Sequence, residues 1–447
     1  MKAVKRIFLN LFFTPRFGFA IAMLVLLFII GYWLPFIYSV AKVVFVLFLG
    51  YCAFEIYVLF AASDRILASR KVPNKLSNGD LNEIKIELEN RYEYPIKAVV
   101  IDELPFQFQY RDSFWKVNLE PNAVRHLDYQ VRPVKRGDYD FGALIILVSM
   151  HLCFFRRRYR FDQSAIASVY PSFVHLRRYE LLAFGNVRRA GQIVVNKKLG
   201  HGMEFEQIKE YVQGDPQRWL NWKATARRQN LMVNQYTDEL SKDIWCFVDK
   251  GRLSKMPFDG LSLLDYSINA VLAVCHIAIK AGDHAGLLTF SNKLSTILMP
   301  SKRSGQMPMI MEALYAQRTR YMDSDYELMT KYIKTKIRRR SLILLFTNFE
   351  TLTSFRRQIK TMKRLGQMHM VVVFFFENTE LTEQMAKPTK GLKDIYTKAV
   401  AEEVTAHKHV MIQELRSNGI FGVMVKPNEL SLKAINKYLE IKSQGRI

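Results

Sequence analysis

Apolar and polar positions divide the chain into three stretches with different periods. From Phe17 to Ala62 the sequence is apolar almost throughout, and Gly31 and Pro35 interrupt it near the middle. One membrane span takes about 20 residues, so a run of this length predicts two helices. Tyr32, Trp33 and Tyr38 surround the break and suit an interfacial aromatic belt. The pattern therefore predicts a transmembrane helical hairpin over residues 17–62 with a very tight turn, behind a basic N-terminal stretch, residues 1–16. A cleaved signal peptide is the rival reading, but the first run does not end in a small-residue cleavage site and the second run follows at once.

Beyond the hairpin the period falls to two. Asn82 to Asn90 (NEIKIELEN) alternates Ile84, Ile86 and Leu88 with charged residues, the pattern of a half-buried strand. IKAVVIDELP, FWKVNLEP, HLDYQVRP and ALIILVSM read as further strands, and Val134 to Gly142 (VKRGDYDFG) as a turn between two of them. Phe154 to Phe161 (FFRRRYRF) reads as a strand with one wet cationic face. Short strands at this spacing predict a small all-β sandwich over residues 76–162. From residue 241 to 447, short apolar runs alternate with helical periods. DIWCFVD, AGLLTF, SLILLFT, MHMVVVFFF and IFGVMV are the buried strands of a doubly wound parallel α/β domain. Helices are expected at 261–281, 307–317, 352–365, 392–417 and 430–442.

Charge changes the picture in two ways. Lys2, Lys5, Arg6 and Arg16 precede the hairpin, Arg65, Arg70, Lys71 and Lys75 follow it, and its turn is uncharged. The positive-inside rule then places both flanks in the cytoplasm. Lys42 would snorkel outward, and Glu55, toward the inner end, would be solvated at the interface. Over the whole chain 65 Lys and Arg face 41 Asp and Glu, a net charge of +24. Attraction to the anionic inner leaflet accounts for part of this excess, so no nucleic-acid partner is expected. The four cysteines, Cys52, Cys153, Cys246 and Cys275, have no zinc or disulfide spacing.

Candidate chemistry centres on residues 163–240, a segment joining the two domains. Glu210 to Gln229 (EYVQGDPQRWLNWKATARRQ) packs a Gly-Asp-Pro turn, two tryptophans and several cations. Asp215 and Pro216 read as the N-cap and first residue of a helix with Trp219, Trp222 and Ala226 on one face. Trp222 should be buried, and Arg218 and Arg227 should find carboxylate or carbonyl partners, with Asp215 and Asp238 as candidates. The bland reading is a packing helix; the sharper one is a basic helix end that grips an anion or an acidic segment. No phosphate-loop or dinucleotide fingerprint is present.

This segment resembles the signature of the bacterial domain of unknown function 58 family. The matching positions are Tyr211, Gly214-Asp215, Arg218, Trp222 and Ala226-Arg227, with Lys209 where the family usually has arginine. The resemblance implies a two-helix membrane anchor, a small β domain and a C-terminal von Willebrand factor A-like domain. It also implies a membrane-tethered partner of the MoxR-type AAA+ ATPases; with the charge bias, this predicts a place in the bacterial inner membrane with both termini cytoplasmic. An A-type domain normally carries Asp-x-Ser-x-Ser after its first strand, with a later Thr and an Asp completing a Mg²⁺ site, oxygen ligands suited to a hard cation. Here Asp249 is kept, Gly251 and Leu253 replace the serines, and Asn348 stands at the later position. Ser254 would restore a hydroxyl only through a register shift. The metal site is thus expected to be degenerate, with no metal and no cofactor.

Dispersed histidines and the absence of nucleophile or metalloprotease motifs give no catalytic residues. The leading expectation is a membrane-anchored, non-enzymatic adaptor or assembly factor. A cryptic cell-envelope hydrolase and a nucleic-acid or anionic-surface binder are the alternatives, and the sequence points to no small molecule.

Overall fold

The computed structural model describes residues 9–61, 65–110, 113–150, 154–189, 204–213, 215–237, 242–379 and 391–445. The chain divides into two compact units, Met1–Tyr170 and Pro171–Ile447.

In the first unit, helices α1 (Pro15–Trp33) and α2 (Pro35–Phe60) form an antiparallel pair long and apolar enough to cross a membrane. A proline opens each helix, where its missing N–H costs nothing. Leu34 alone joins them, with its N–H bonded to Gly31 O at 3.2 Å. The turn is this tight because Gly31 lacks a side chain: a Cβ there would lie 3.0 Å from the Tyr38 backbone.

Eleven strands make up the rest of this unit: β1 (Leu11–Phe13), β2 (Ile66–Lys71), β3 (Lys75–Ser77), β4 (Asn82–Asn90), β5 (Ile96–Asp102), β6 (Phe114–Leu119), β7 (Val124–Val131), β8 (Gly137–Phe141), β9 (Leu144–Ser149), β10 (Phe155–Phe161) and β11 (Ala165–Tyr170). They form three sheets, ordered β1-β10-β9-β5-β6, β2-β4-β7 and β3-β11-β8, around one core that includes Ile84, Ile86, Val100 and Ile146. The strands extend past both ends of 76–162, and β1 precedes the hairpin altogether.

Three expectations for this unit are corrected. Residues 137–141 are a strand, because Tyr139 and Phe141 face the core while Asp138 and Asp140 face out, a period of two in a stretch dominated by turn-forming residues. The cations of β10 do not all lie on a wet face. Arg157 alternates with Phe155 and Tyr159 on the buried side, 4.4 Å over the Tyr159 ring, and donates to Leu59 O. Glu55 is fully buried rather than solvated, and its Oε1 accepts from Phe155 N at 3.4 Å. Farther along, Arg70 and Asp102 form an ion pair with no exposed side-chain surface, completed by Tyr129 OH donating to Asp102.

The second unit begins with α3 (Leu176–Arg189) and a small antiparallel hairpin, β12 (Glu204–Glu210) and β13 (Met232–Thr237), with α4 (Trp222–Arg228) between its strands. A six-stranded sheet follows, ordered β18-β17-β14-β19-β20-β21. Its members are β14 (Asp243–Asp249), β17 (His284–Phe290), β18 (Leu294–Ser301), β19 (Leu342–Phe346), β20 (Met370–Phe376) and β21 (Phe421–Val425). The short pair β15 (Pro257–Phe258) and β16 (Leu261–Ser262) lies outside it. The helices are α5 (Leu263–Lys280), α6 (Gln306–Tyr315), α7 (Tyr326–Lys336), α8 (Leu352–Met368), α9 (Leu392–Ser417) and α10 (Leu430–Ser443).

All strands of the large sheet are parallel except the edge strand β18. Alternate residues of β14 feed two cores: Ile244, Cys246 and Val248 pack with α5 and α10, Trp245 and Phe247 with α7 and α8. Helices on both faces of a parallel sheet give the doubly wound arrangement that the apolar runs predict. α5 is apolar enough to pass for a span, yet nearly every residue from Leu263 to Ala278 is buried in this core. The sequence reading missed β18 and α7. β18 is only half-buried and contains Pro300, as edge strands tolerate. α7 is short, and its start depends on Asp325, whose side chain accepts from Leu328 N at 2.9 Å.

Candidate functional site

In the strand order β17-β14-β19-β20 the chain reverses direction of travel between β14 and β19, and crevices for ligands open there, outside the carboxyl ends of the strands. Asp249 ends β14 at this point, 5% exposed. Its Oδ1 accepts from Gly251 N at 2.8 Å and from Ser324 Oγ; its Oδ2 accepts from Tyr326 OH at 2.9 Å and Thr347 Oγ1 at 2.7 Å. Four donors thus surround one carboxylate. Burial first, then the Asp249 charge, pushes the Tyr326 phenol up, so it remains a donor.

Sequence reasoning found Asp249 but not Ser324, Tyr326 or Thr347. Only Thr347 carried a signal, as the hydroxyl beside Asn348. The glycine at 251 has a local cause: a Cβ there would run into Ser324 Oγ, so the later loop supplies the hydroxyl. Ser254 turns away and donates to Asp249 O at 2.7 Å, while Leu253 is half-buried on the crevice wall. Asn348 does not address the Asp249 carboxylate. Its Oδ1 lies 3.4 Å from Lys408 Nζ, which also donates to Phe376 O.

Two cavities flank the Asn348–Thr351 loop. One, of about 360 Å³, is polar and lined by Asp249, Leu253, Ser324, Glu350 and Arg357. The other, of about 430 Å³, is walled by Met256, Phe258, Leu263, Phe376 and Val404, with Lys408 among its lining residues. Burial pulls the Lys408 amine down to about 8, against the opposing charges of Glu377 and Glu350. Lys250, buried beside Asp249, bonds to Gln317 Oε1 at 2.8 Å and is likewise pulled to about 8 by burial and by Arg320. Among the described residues, no three His, Cys, Asp or Glu side chains gather closely enough to hold a metal ion. A divalent cation at Asp249 would have to turn the Ser324 and Thr347 hydroxyl protons away and displace Gly251 N–H. Calorimetric titration of the detergent-solubilised chain with millimolar Mg²⁺ is therefore expected to give no saturable heat. A one-site isotherm that disappears in Asp249→Ala would reverse this conclusion.

The signature segment is built differently from the amphipathic helix its spacing predicts. Pro216 has extended backbone, residues Gln217–Trp219 form a single 3₁₀ turn, and α4 starts at Trp222 with Asn221 as its cap, accepting from Ala224 N at 3.0 Å. Asp215 does not cap a helix. Its carboxylate takes Lys209 Nζ at 2.9 Å and Val212 N at 3.0 Å, and these two hold it below the usual carboxylate range. Lys209, not Arg218, is therefore the partner of Asp215; the Arg218 guanidinium lies 5.3 Å over the Trp219 ring. Trp222 is 69% exposed, and Ala226 and Arg227 are exposed with it, which corrects the buried placement. Among the described residues, no second layer covers that side chain of the seven-residue helix. Tyr211 is half-buried and its N–H bonds to Leu231 O at 2.8 Å. Gly214 and Asp238 lie outside the described residues.

Among known proteins, the uncharacterized protein YeaD of Bacillus subtilis is 22% identical over 244 residues, 51% of this chain and 56% of that one. The chain thus spans a little over half the length of that relative. Among solved structures, the conserved hypothetical protein BatB from Bacteroides thetaiotaomicron matches 45% of this chain and 99% of its own at 11% identity, with a TM-score of 0.30. Proximal thread matrix protein 1 from the mussel byssus matches 44% of this chain and 46% of its own at 9% identity, with a TM-score of 0.27. Residues 207–410, from β12 to within α9, match the model of the family described as protein of unknown function DUF58.

Proposed function

We propose that this protein is a membrane-anchored, non-enzymatic adaptor or assembly factor. Its α/β unit, read as a degenerate von Willebrand factor A-like domain, presents the crevice beside Asp249 to a protein partner. The observation that carries this reading is the Asp249 carboxylate itself: with four donors around it, it organises loops, and the open apolar cavity next to it has the walls to take up a partner's side chain. The apolar hairpin supports an anchor in a bacterial inner membrane with both termini in the cytoplasm. The resemblance at Tyr211 to Arg227 points to a MoxR-type AAA+ ATPase as the partner class.

Trp222 belongs to the same proposal. An exposed tryptophan flanked by cations is the residue type that most often dominates a protein interface. Trp222→Ala should leave the melting of the solubilised chain within about 1 kcal/mol of wild type. It should lower recovery of the ATPase, in affinity purification from solubilised membranes, by about tenfold or more. Wild-type chain that recovers no AAA+ ATPase above background would sink the partner assignment; an unchanged yield with Trp222→Ala would move the contact elsewhere.

A further inference from the structure

Between Glu327 and Glu377 the chain carries eleven lysines and arginines and a single acid, Glu350. The fold gathers most of that charge at one end of the α/β unit. α7 and α8 pack together, and both run from the carboxyl end of the sheet to its amino end, α7 into β19 and α8 into β20. Their last turns and the Arg338–Arg340 loop therefore meet where β19 and β20 start side by side, Leu342 opposite Met370. Lys336, Arg338, Arg339, Arg340, Lys363 and Arg364 are all exposed there, and none of the six forms an ion pair among the described residues. Arg340 comes close enough to His369, just before β20, that its charge adds to burial in pushing the imidazole down.

The acids at this end do not cancel the patch. Asp243 contacts His284 Nδ1 at 3.0 Å, and Asp283 is taken up by Lys442 and Tyr438. Helix C-termini also favour cations, so the patch forms without strain.

We propose that this cationic end is a docking surface for the anionic phospholipid headgroups of the bilayer that holds the hairpin. The proposal rests on the membrane-anchor reading of α1 and α2, and it goes beyond the partner crevice, which lies at the opposite end of the sheet. Two observations favour lipid over nucleic acid. A chain tethered to a bilayer by its own hairpin meets that surface at high effective concentration. Single-stranded nucleic acid is bound through aromatic platforms as well as charge, whereas the aromatic rings of α7 and α8 are buried (Tyr326, Phe355) or half-buried against the core (Tyr332), and the Arg338–Arg340 loop has none.

Reconstitution of the full chain into vesicles of phosphatidylcholine, with or without phosphatidylglycerol, tests this. Co-flotation with both vesicle types reports the anchor separately. Amine acylation followed by mass spectrometry reports the patch. Lys336 and Lys363 should label about tenfold more slowly when phosphatidylglycerol is present, and molar salt should abolish the difference. Lys255, at the carboxyl end, should label alike in both. The triple substitution Arg338→Glu, Arg339→Glu, Arg340→Glu should remove the lipid-dependent protection of Lys363. Equal labelling of wild type in the two membranes would overturn the proposal. So would protection that appears only on adding RNA to phosphatidylcholine vesicles, which would make the patch a nucleic-acid surface.

Discussion

Asp249→Ala is expected to cost about 3–5 kcal/mol of stability, comparable to breaking a buried charged contact. The loss has an identifiable origin. Ser324 Oγ, Tyr326 OH, Thr347 Oγ1 and Gly251 N all donate to the one carboxylate, the first two from the segment that opens α7 and the third from just past the end of β19. Deleting the acceptor leaves Gly251 N and Ser324 Oγ without this partner and loosens the segment ahead of α7 from the end of β14. Tyr326 OH and Thr347 Oγ1 lie 2.6 Å apart and would keep each other as partners, which holds the cost at the lower end of the sum of single losses. Asp249→Asn should cost less, about 1–3 kcal/mol, because the amide retains one acceptor but turns N–H groups toward donors. Denaturant unfolding of the solubilised chain, followed by near-ultraviolet circular dichroism of buried Trp245, reports both. A wild-type midpoint for Asp249→Ala would mean that the carboxylate serves a bound ligand instead.

Lys408→Met is expected to stabilise the protein by about 1–3 kcal/mol at pH 7. Burial pulls the Lys408 amine from 10.5 to about 8, which corresponds to roughly 3 kcal/mol against the charged form. Methionine is similar in length and removes that penalty, while leaving Phe376 O and Asn348 Oδ1 short of a donor, a loss of about 1 kcal/mol. The pH dependence distinguishes this from simple repacking. Between about pH 8 and 10.5 the unfolded chain binds more protons at this lysine than the folded one, so wild-type stability rises with pH across that window. The advantage of Lys408→Met should therefore shrink above pH 8 and vanish near pH 10.5. Lys250 is shifted in the same direction and keeps part of the slope in the variant. A destabilised variant at every pH would show that the two hydrogen bonds outweigh the charge.

Where a single period governed a long stretch, the pattern of the chain carried the fold. The helix pair at Pro15–Phe60 and the buried strands β14, β17, β19, β20 and β21 needed no tertiary information, because all-apolar runs have only one environment to enter. Residues 137–141 went wrong because Gly and Asp carry turn signals that sheet pairing with β11 overrides. Trp222 went wrong for a related reason. The spacing of Trp219, Trp222 and Ala226 fits a helix face only if one helix spans them, and Pro216, Leu220 and the Asn221 cap break the segment into two short turns. At Asp249 the local motif located the carboxylate, but its side-chain donors arrive from positions 75 to 98 residues later, and no local pattern marks a meeting fixed by the sheet.

The pairing of β1 with β10 has a consequence for how the chain is made. Phe13 lies opposite Phe155, so the strand ahead of the hairpin waits for a partner synthesised 142 positions later. At 5–20 residues per second that interval is roughly 7–30 s. Both apolar helices leave the ribosome while β1 is still unpaired. When β10 arrives, β1 pairs with it, and the chain from Phe13 to Phe155, both helices included, becomes one closed loop. A chain lacking residues 1–14 would keep both helices but present β10 with an open edge, free to pair with a neighbouring chain.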